Sequence, residues 1–89
     1  MRGVKRIMND REIRDALLEA GYKTAREQGG ILGSVFNVYE INSLKGVSKK
    51  DINFNADYLC GKGWLKWEVM GGGMRITTAG VSEYERKNG

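Results

Sequence analysis

The chain has 89 residues, 40% hydrophobic and 29% charged, with a net charge of +4. That composition suits one folded domain with a modest core, and no apolar run approaches the roughly 18 residues a membrane span needs. Histidine is absent and Cys60 is the one cysteine, which removes the commonest general base, an internal disulfide and a cysteine–histidine zinc site.

Met1 to Met8 carries Arg2, Lys5 and Arg6 without the apolar stretch of a signal peptide. With the lone cysteine this points to a reducing cytoplasm. Residues 1–8 are expected to be a flexible basic terminus; an arm reaching into a minor groove is the alternative.

Three helix starts share one grammar: a cap residue, an acidic residue three positions on, and an apolar pair bracketing the cap. They are Asn9 with Glu12, Met8 and Ile13; Asn37 with Glu40, Phe36 and Ile41; and Ser48 with Asp51, Val47 and Ile52. The cap oxygen satisfies an orphan N–H, the acid favours the positive end of the helix dipole, and the apolar pair fixes the approach of the chain. Asp51, shorter than Glu, makes the third start the least ideal.

The first helix is expected over Asp10 to Gln28, with Ile13, Ala16, Leu17, Ala20 and Thr24 on one stripe and Leu18, Tyr22 and Ala25 on a nearly opposite one. Gly21 within it costs about 1 kcal/mol relative to Ala and marks a place where the helix could kink or end. Gly29-Gly30 closes the segment, and Ile31 to Phe36 reads as a brief strand. A short second helix is expected over Val38 to Lys45, with Gly46 as its left-handed terminator. Only Val47 then precedes the Ser48 cap of a third helix running from Lys49 to about Lys62 and burying Ile52, Ala56 and Leu59.

Beyond it the period becomes two. Leu65, Trp67 and Val69 share a face, Gly71-Gly72-Gly73 is a turn, and Met74-Arg75-Ile76 returns as the partner strand. Thr77 or Thr78 caps a last helix carrying Val81 and Tyr84. The expected fold is α+β, mainly α, in one domain over 1–89.

The run Gly46-Val47-Ser48, Ile52, Ala56, Asp57-Tyr58-Leu59, Lys62-Gly63-Trp64-Leu65, Ile76-Thr77, Gly80 and Tyr84 resembles the winged helix-turn-helix superfamily. The resemblance spans about Asn37 to Glu85. It implies a three-helix core, a short strand, a β-hairpin wing and a short closing helix. It also implies a binding module rather than an enzyme, without a cofactor. Double-stranded DNA is the first expectation for the ligand, with transcriptional regulation as the role. Protein interaction or dimerisation without DNA is the alternative, because the superfamily contains both.

In the DNA reading the third helix enters the major groove and the hairpin approaches the backbone. With Ile52, Ala56 and Leu59 inward, Lys50, Asn53, Phe54 and Asp57 face out, and Lys49 lies at the flank. Lys49 and Lys50 would meet phosphates, Asn53 an adenine edge, and Phe54 a thymine methyl. Lys66 and Arg75 are the cations nearest the hairpin turn. Asp57 repels phosphate unless it accepts from a cytosine amino group or pairs with a lysine. In the protein-binding reading Phe54, the aromatic hairpin and the stripe Leu18, Tyr22 and Ala25 form the interface, and a homodimer through the first helix fits either reading. Plain solvated or core roles compete for every one of these residues. The triple glycine lies between strands and lacks the helix start a phosphate cradle needs. Cys60 has no neighbour in sequence to activate it.

Overall fold

The computed structural model describes residues 8–88. Arg2, Lys5 and Arg6, the expected basic arm, lie outside them. The order is α1 (Asp10–Gln28), β1 (Phe36–Asn37), two short 3-10 turns (Val38–Glu40 and Asn42–Leu44), α2 (Lys49–Gly61), β2 (Leu65–Val69), β3 (Gly73–Ile76) and α3 (Thr78–Asn88). The sheet is antiparallel in the order β1-β3-β2. This is an α+β fold, mainly helical. Among the described residues no helix is long and apolar enough to cross a membrane.

The helix starts work largely as their sequences imply. Asn9 Oδ1 accepts from Glu12 N at 2.8 Å while Asn9 N donates to Glu12 Oε1 at 3.0 Å, a reciprocal capping box. Ser48 Oγ accepts from Asp51 N at 3.2 Å and opens α2. Thr77 Oγ1 accepts from Gly80 N at 3.0 Å and opens α3. At the other end of α1, Gly29 is left-handed at φ 76°, and its N–H reaches the carbonyls of Ala25 and Arg26.

Gly21 does not break α1. The helix runs through it because the missing side chain admits Phe36, Ile76 and Leu65: a Cβ there would lie 3.1–3.3 Å from their atoms. Glycine at this point trades helix propensity for close packing of α1 on the sheet.

Two expected elements are corrected. The second helix, expected over Val38 to Lys45, is instead a pair of 3-10 turns joined at Ile41, which is extended at φ −80° and ψ 122°. Val38, Ile41 and Leu44 recur every third residue, the period of a 3-10 helix. Asn37 Oδ1 accepts from Tyr39 N, two positions on, so it caps a tight turn rather than an α-helix. Val38 N donates to Gly72 O at 2.9 Å, tying this segment to the hairpin turn. The expected three-helix core therefore lacks its second helix: α1 and α2 are present, the paired turns stand between them, and α3 is the short closing helix. The strand expected over Ile31 to Phe36 is also shorter, Phe36–Asn37 only. Gly33 is left-handed at φ 83° and the Ser34 hydroxyl donates to Gly30 O, so residues 29–35 form a closed loop with Leu32 in solvent.

The core gathers Ile13 and Leu17 of α1, Val38 and Leu44 of the turns, Ile52, Ala56 and Leu59 of α2, and Leu65, Met74 and Ile76 of the sheet. Burial of the β2 face fades along the strand. Leu65 is buried, Trp67 half-buried and Val69 exposed, and the register slips between Trp67 and Val69.

Candidate nucleic-acid interface

α2 packs by one face only. Ile52, Asn55, Ala56 and Leu59 are buried, whereas Lys49, Lys50, Asn53, Phe54, Asp57 and Tyr58 are exposed. At 100° per residue, Lys50 and Phe54 crest the outer ridge. Asn53 and Asp57 lie on its hairpin side, and Asp51 and Tyr58 on its α1 side. The expected orientation of this helix is the one observed.

Between α2 and the hairpin lies an open groove of about 520 Å³, lined by Tyr39, Asn53, Asp57, Trp67 and the turn Glu68 to Gly72. Its polar groups are already engaged. Trp67 Nε1 donates to Asp57 Oδ1 at 3.0 Å, and the Tyr39 hydroxyl donates to Asn53 Oδ1. The Lys49 amine sits 5.0 Å from the Tyr39 ring centroid. Gly72 is left-handed, and a Cβ there would overlap the Tyr39 ring at 2.6 Å, so glycine lets the hairpin turn close over that ring.

These contacts divide the candidate residues. Lys50 and Phe54 are uncommitted, Phe54 at 62% exposure. Asp57 has a structural partner in Trp67, which links α2 to β2. Asn53 accepts from the Tyr39 hydroxyl through its carbonyl oxygen, so a bidentate bond to adenine shares that oxygen with Tyr39. Lys66 and Arg75 stand opposite each other across the hairpin, and Lys66 has no acidic partner among the described residues. Arg75 is a correction: its Nε binds Glu68 Oε2 at 2.5 Å and its side chain is 16% exposed, so its charge is spent within the hairpin.

The expected α1 interface is corrected too. Leu18 and Ala25 are 3% and 5% exposed, because α3 lies against that stripe. Tyr22 stacks on Tyr84 of α3 with centroids 4.4 Å apart and donates to Glu85 Oε2 at 3.0 Å. That hydrogen bond raises the Tyr22 pKa above its ordinary value. The stripe is an internal packing face.

Sequence reasoning missed Tyr39 and Trp67 as groove walls, because both contacts join segments ten or more residues apart. It also missed an apolar hairpin end, where Val69 and Met70 are exposed and a Cβ on Gly73 would touch both Val69 and Val35. Two adjacent apolar residues beside the glycine turn were the available signal.

No protein-family model matches the chain, and neither the curated proteins nor the solved structures give a match.

Proposed function

We propose that the chain is a winged helix-turn-helix module that binds double-stranded DNA, with α2 entering the major groove and the β2–β3 hairpin serving as the wing. The observation that carries this reading is the uncovered outer face of α2, where Lys50 and Phe54 crest the ridge and Lys49 stands at its flank. A helix left open along its length fits a major groove about 12 Å wide. Lys49, Lys50 and Lys66 then meet phosphates and position the helix, and Phe54 is placed for a thymine methyl. Asn53 donates through its amide nitrogen to a base acceptor. The activity is binding without catalysis, suited to a transcriptional regulator working in the cytoplasm.

The exposed cluster Val35, Val69 and Met70, with Met70 at 99% exposure, favours a second reading, a protein partner gripped by the hairpin end. An amide-shift NMR titration with a mixed-sequence duplex at low salt separates the two. Shifts along Lys49 to Asp57 that vanish at high salt support DNA. Unmoved α2 amides, with Val69 and Met70 broadening as protein concentration rises, refute it in favour of self-association.

A further inference from the structure

On the flank of α2 away from the hairpin lies a second cleft, of about 330 Å³, between the start of α1, the end of α2 and α3. Its lining carries four cations and two carboxylates. Both carboxylates are already neutralised: Asp15 binds Lys87 Nζ at 2.6 Å, and Glu83 binds Arg86 at 2.7 Å. The charge left over belongs to Arg11 and Arg14, with Lys62 beside them. The Arg14 guanidinium lies 3.9 Å from the Tyr58 ring centroid, and its Nε donates to Asn55 Oδ1 at 3.0 Å. Asn55 is itself fully buried and donates to Asp10 Oδ1 and Asp51 O, so Arg14 is held in place before any ligand arrives. The Lys62 amine stands 5.7 Å from the Tyr58 centroid and 5.8 Å from that of Trp64. Neither Arg11 nor Lys62 has an acidic partner among the described residues.

We propose that this cleft receives the phosphate backbone of one strand of the duplex whose major groove α2 enters. The inference rests on the DNA reading above and adds a second phosphate rail to it. A helix seated in the major groove has one strand passing along each side. The hairpin presents Lys66 to one strand, and this cleft, on the Tyr58 side of the ridge, presents Arg11 and Lys62 to the other, with Arg14, engaged by Asn55 and Tyr58, forming its wall. Asp10, close by, accepts from the neutral Asn55 amide and keeps its charge, and Asp51 stands on the same flank of α2; Arg11, Arg14 and Lys62 outnumber these two carboxylates, so the balance is positive.

The test compares R11Q/K62Q with K49Q/K50Q by fluorescence anisotropy of a labelled mixed-sequence duplex. The Arg11 and Lys62 side chains are exposed and make no hydrogen bond among the described residues, and glutamine keeps both backbones as they are, so the first pair leaves the fold intact, as a urea midpoint checks. Counting Lys49, Lys50, Lys66, Arg11 and Lys62, the wild-type log–log salt slope is about −4.5, a loss of about 500-fold in affinity between about 50 and about 200 mM salt. R11Q/K62Q reduces the slope to about −2.7, a loss of about 40-fold over the same range. An unchanged slope in R11Q/K62Q beside a reduced one in K49Q/K50Q overturns the cleft and leaves the α2 reading standing. A slope reduced only by R11Q/K62Q overturns the shared duplex, since α2 then bears no strand. No wild-type binding at the lowest salt overturns both.

Discussion

Three helical glycines face three different neighbourhoods, so one substitution, Gly→Ala, separates helix propensity from packing. Propensity alone favours each change by about 1 kcal/mol in a helix interior, less at a helix end. At Gly61, the last residue of α2, a Cβ meets nothing within 4 Å. G61A therefore stabilises by about 0.5 kcal/mol. At Gly21 the Cβ lies 3.1 Å from Phe36 Cε1 and 3.2 Å from Ile76 Cβ. The phenyl edge can yield a few tenths of an ångström, but Ile76 Cβ is fixed to its strand. Overpacking of about 1–2 kcal/mol then outweighs propensity, and G21A destabilises by up to about 1 kcal/mol. At Gly80 the Cβ would stand 2.1 Å from the Trp64 carbonyl oxygen and 2.7 Å from Ile76 Cγ1. The oxygen belongs to backbone that accepts from Thr77 N at 3.0 Å, so α3 must move and the Thr77 cap goes with it. Strain, cap and hydrogen bond together cost about 3–5 kcal/mol, much of what a domain this size possesses. Urea unfolding followed by tryptophan fluorescence reads the series, with roughly 1 M of midpoint per kcal/mol if m is near the low end for small domains. A G80A midpoint equal to wild type, or a G21A midpoint above that of G61A, would refute this account of how α1 and α3 dock.

Other substitutions probe the α2 surface and the thiol. D57N keeps an oxygen to accept from Trp67 Nε1 but removes a negative charge from the groove. Stability therefore stays within about 0.5 kcal/mol, and duplex affinity at low salt rises about fivefold by anisotropy, the equivalent of about 1 kcal/mol between charges about 4 Å apart in water. W67F deletes the same hydrogen bond from the other side and costs about 1 kcal/mol in urea unfolding. S48A removes the single side-chain cap of α2 and costs about 1 kcal/mol by the same measurement. Burial pushes the Cys60 thiol above its ordinary pKa. Folded protein therefore alkylates more slowly with iodoacetamide at mildly alkaline pH than urea-unfolded chain does. The folded-state pKa being the higher, the linked stability is whole below the unfolded value and falls as pH rises through the folded one.

The local half of the fold was legible in the sequence, and the non-local half was not. Asn9, Ser48 and Thr77 act within three residues of themselves, and Gly29 needs only a left-handed φ, so pattern alone placed them; Gly46 is left-handed as expected but follows a 3-10 turn, not the helix it was expected to end. The segment after Asn37 carried the same cap pattern but went to 3-10 turns, because a cap marks a start and says nothing of the period that follows. Leu18, Tyr22 and Ala25 looked free because the helix that covers them lies some sixty residues on. The candidate site divides the same way. The outward ridge of α2 follows from the burial of Ile52, Ala56 and Leu59. The Asp57–Trp67 and Asn53–Tyr39 pairs depend on where the hairpin and the first 3-10 turn come to rest. Arg75–Glu68 stood in between: once Lys66 opposes Arg75, Glu68 is two residues along on the same face and within reach.

What the internal contacts remove from the α2 face decides how much that face can do alone. With Arg75 spent on Glu68 and Asp57 still negative, the hairpin side of the ridge offers Lys66 and the helix offers Lys49 and Lys50. Three phosphate contacts give a salt slope of about −2.7, and affinity that survives salt so well also starts low, since phosphate neutralisation supplies most nonspecific binding. Adding Arg11 and Lys62 brings the slope to about −4.5 without any further base contact. The two rails also fix what Phe54 can report. If both rails hold one duplex as proposed, Phe54 lies between its strands and is pressed to the groove floor, and F54A then loses selectivity for thymine. Held on one side only, the helix can tilt away, and F54A loses little. A double-mutant cycle between F54A and R11Q/K62Q, read as duplex affinity, measures that dependence: coupling above about 0.5 kcal/mol places both rails on one duplex, and additive losses show that they act apart.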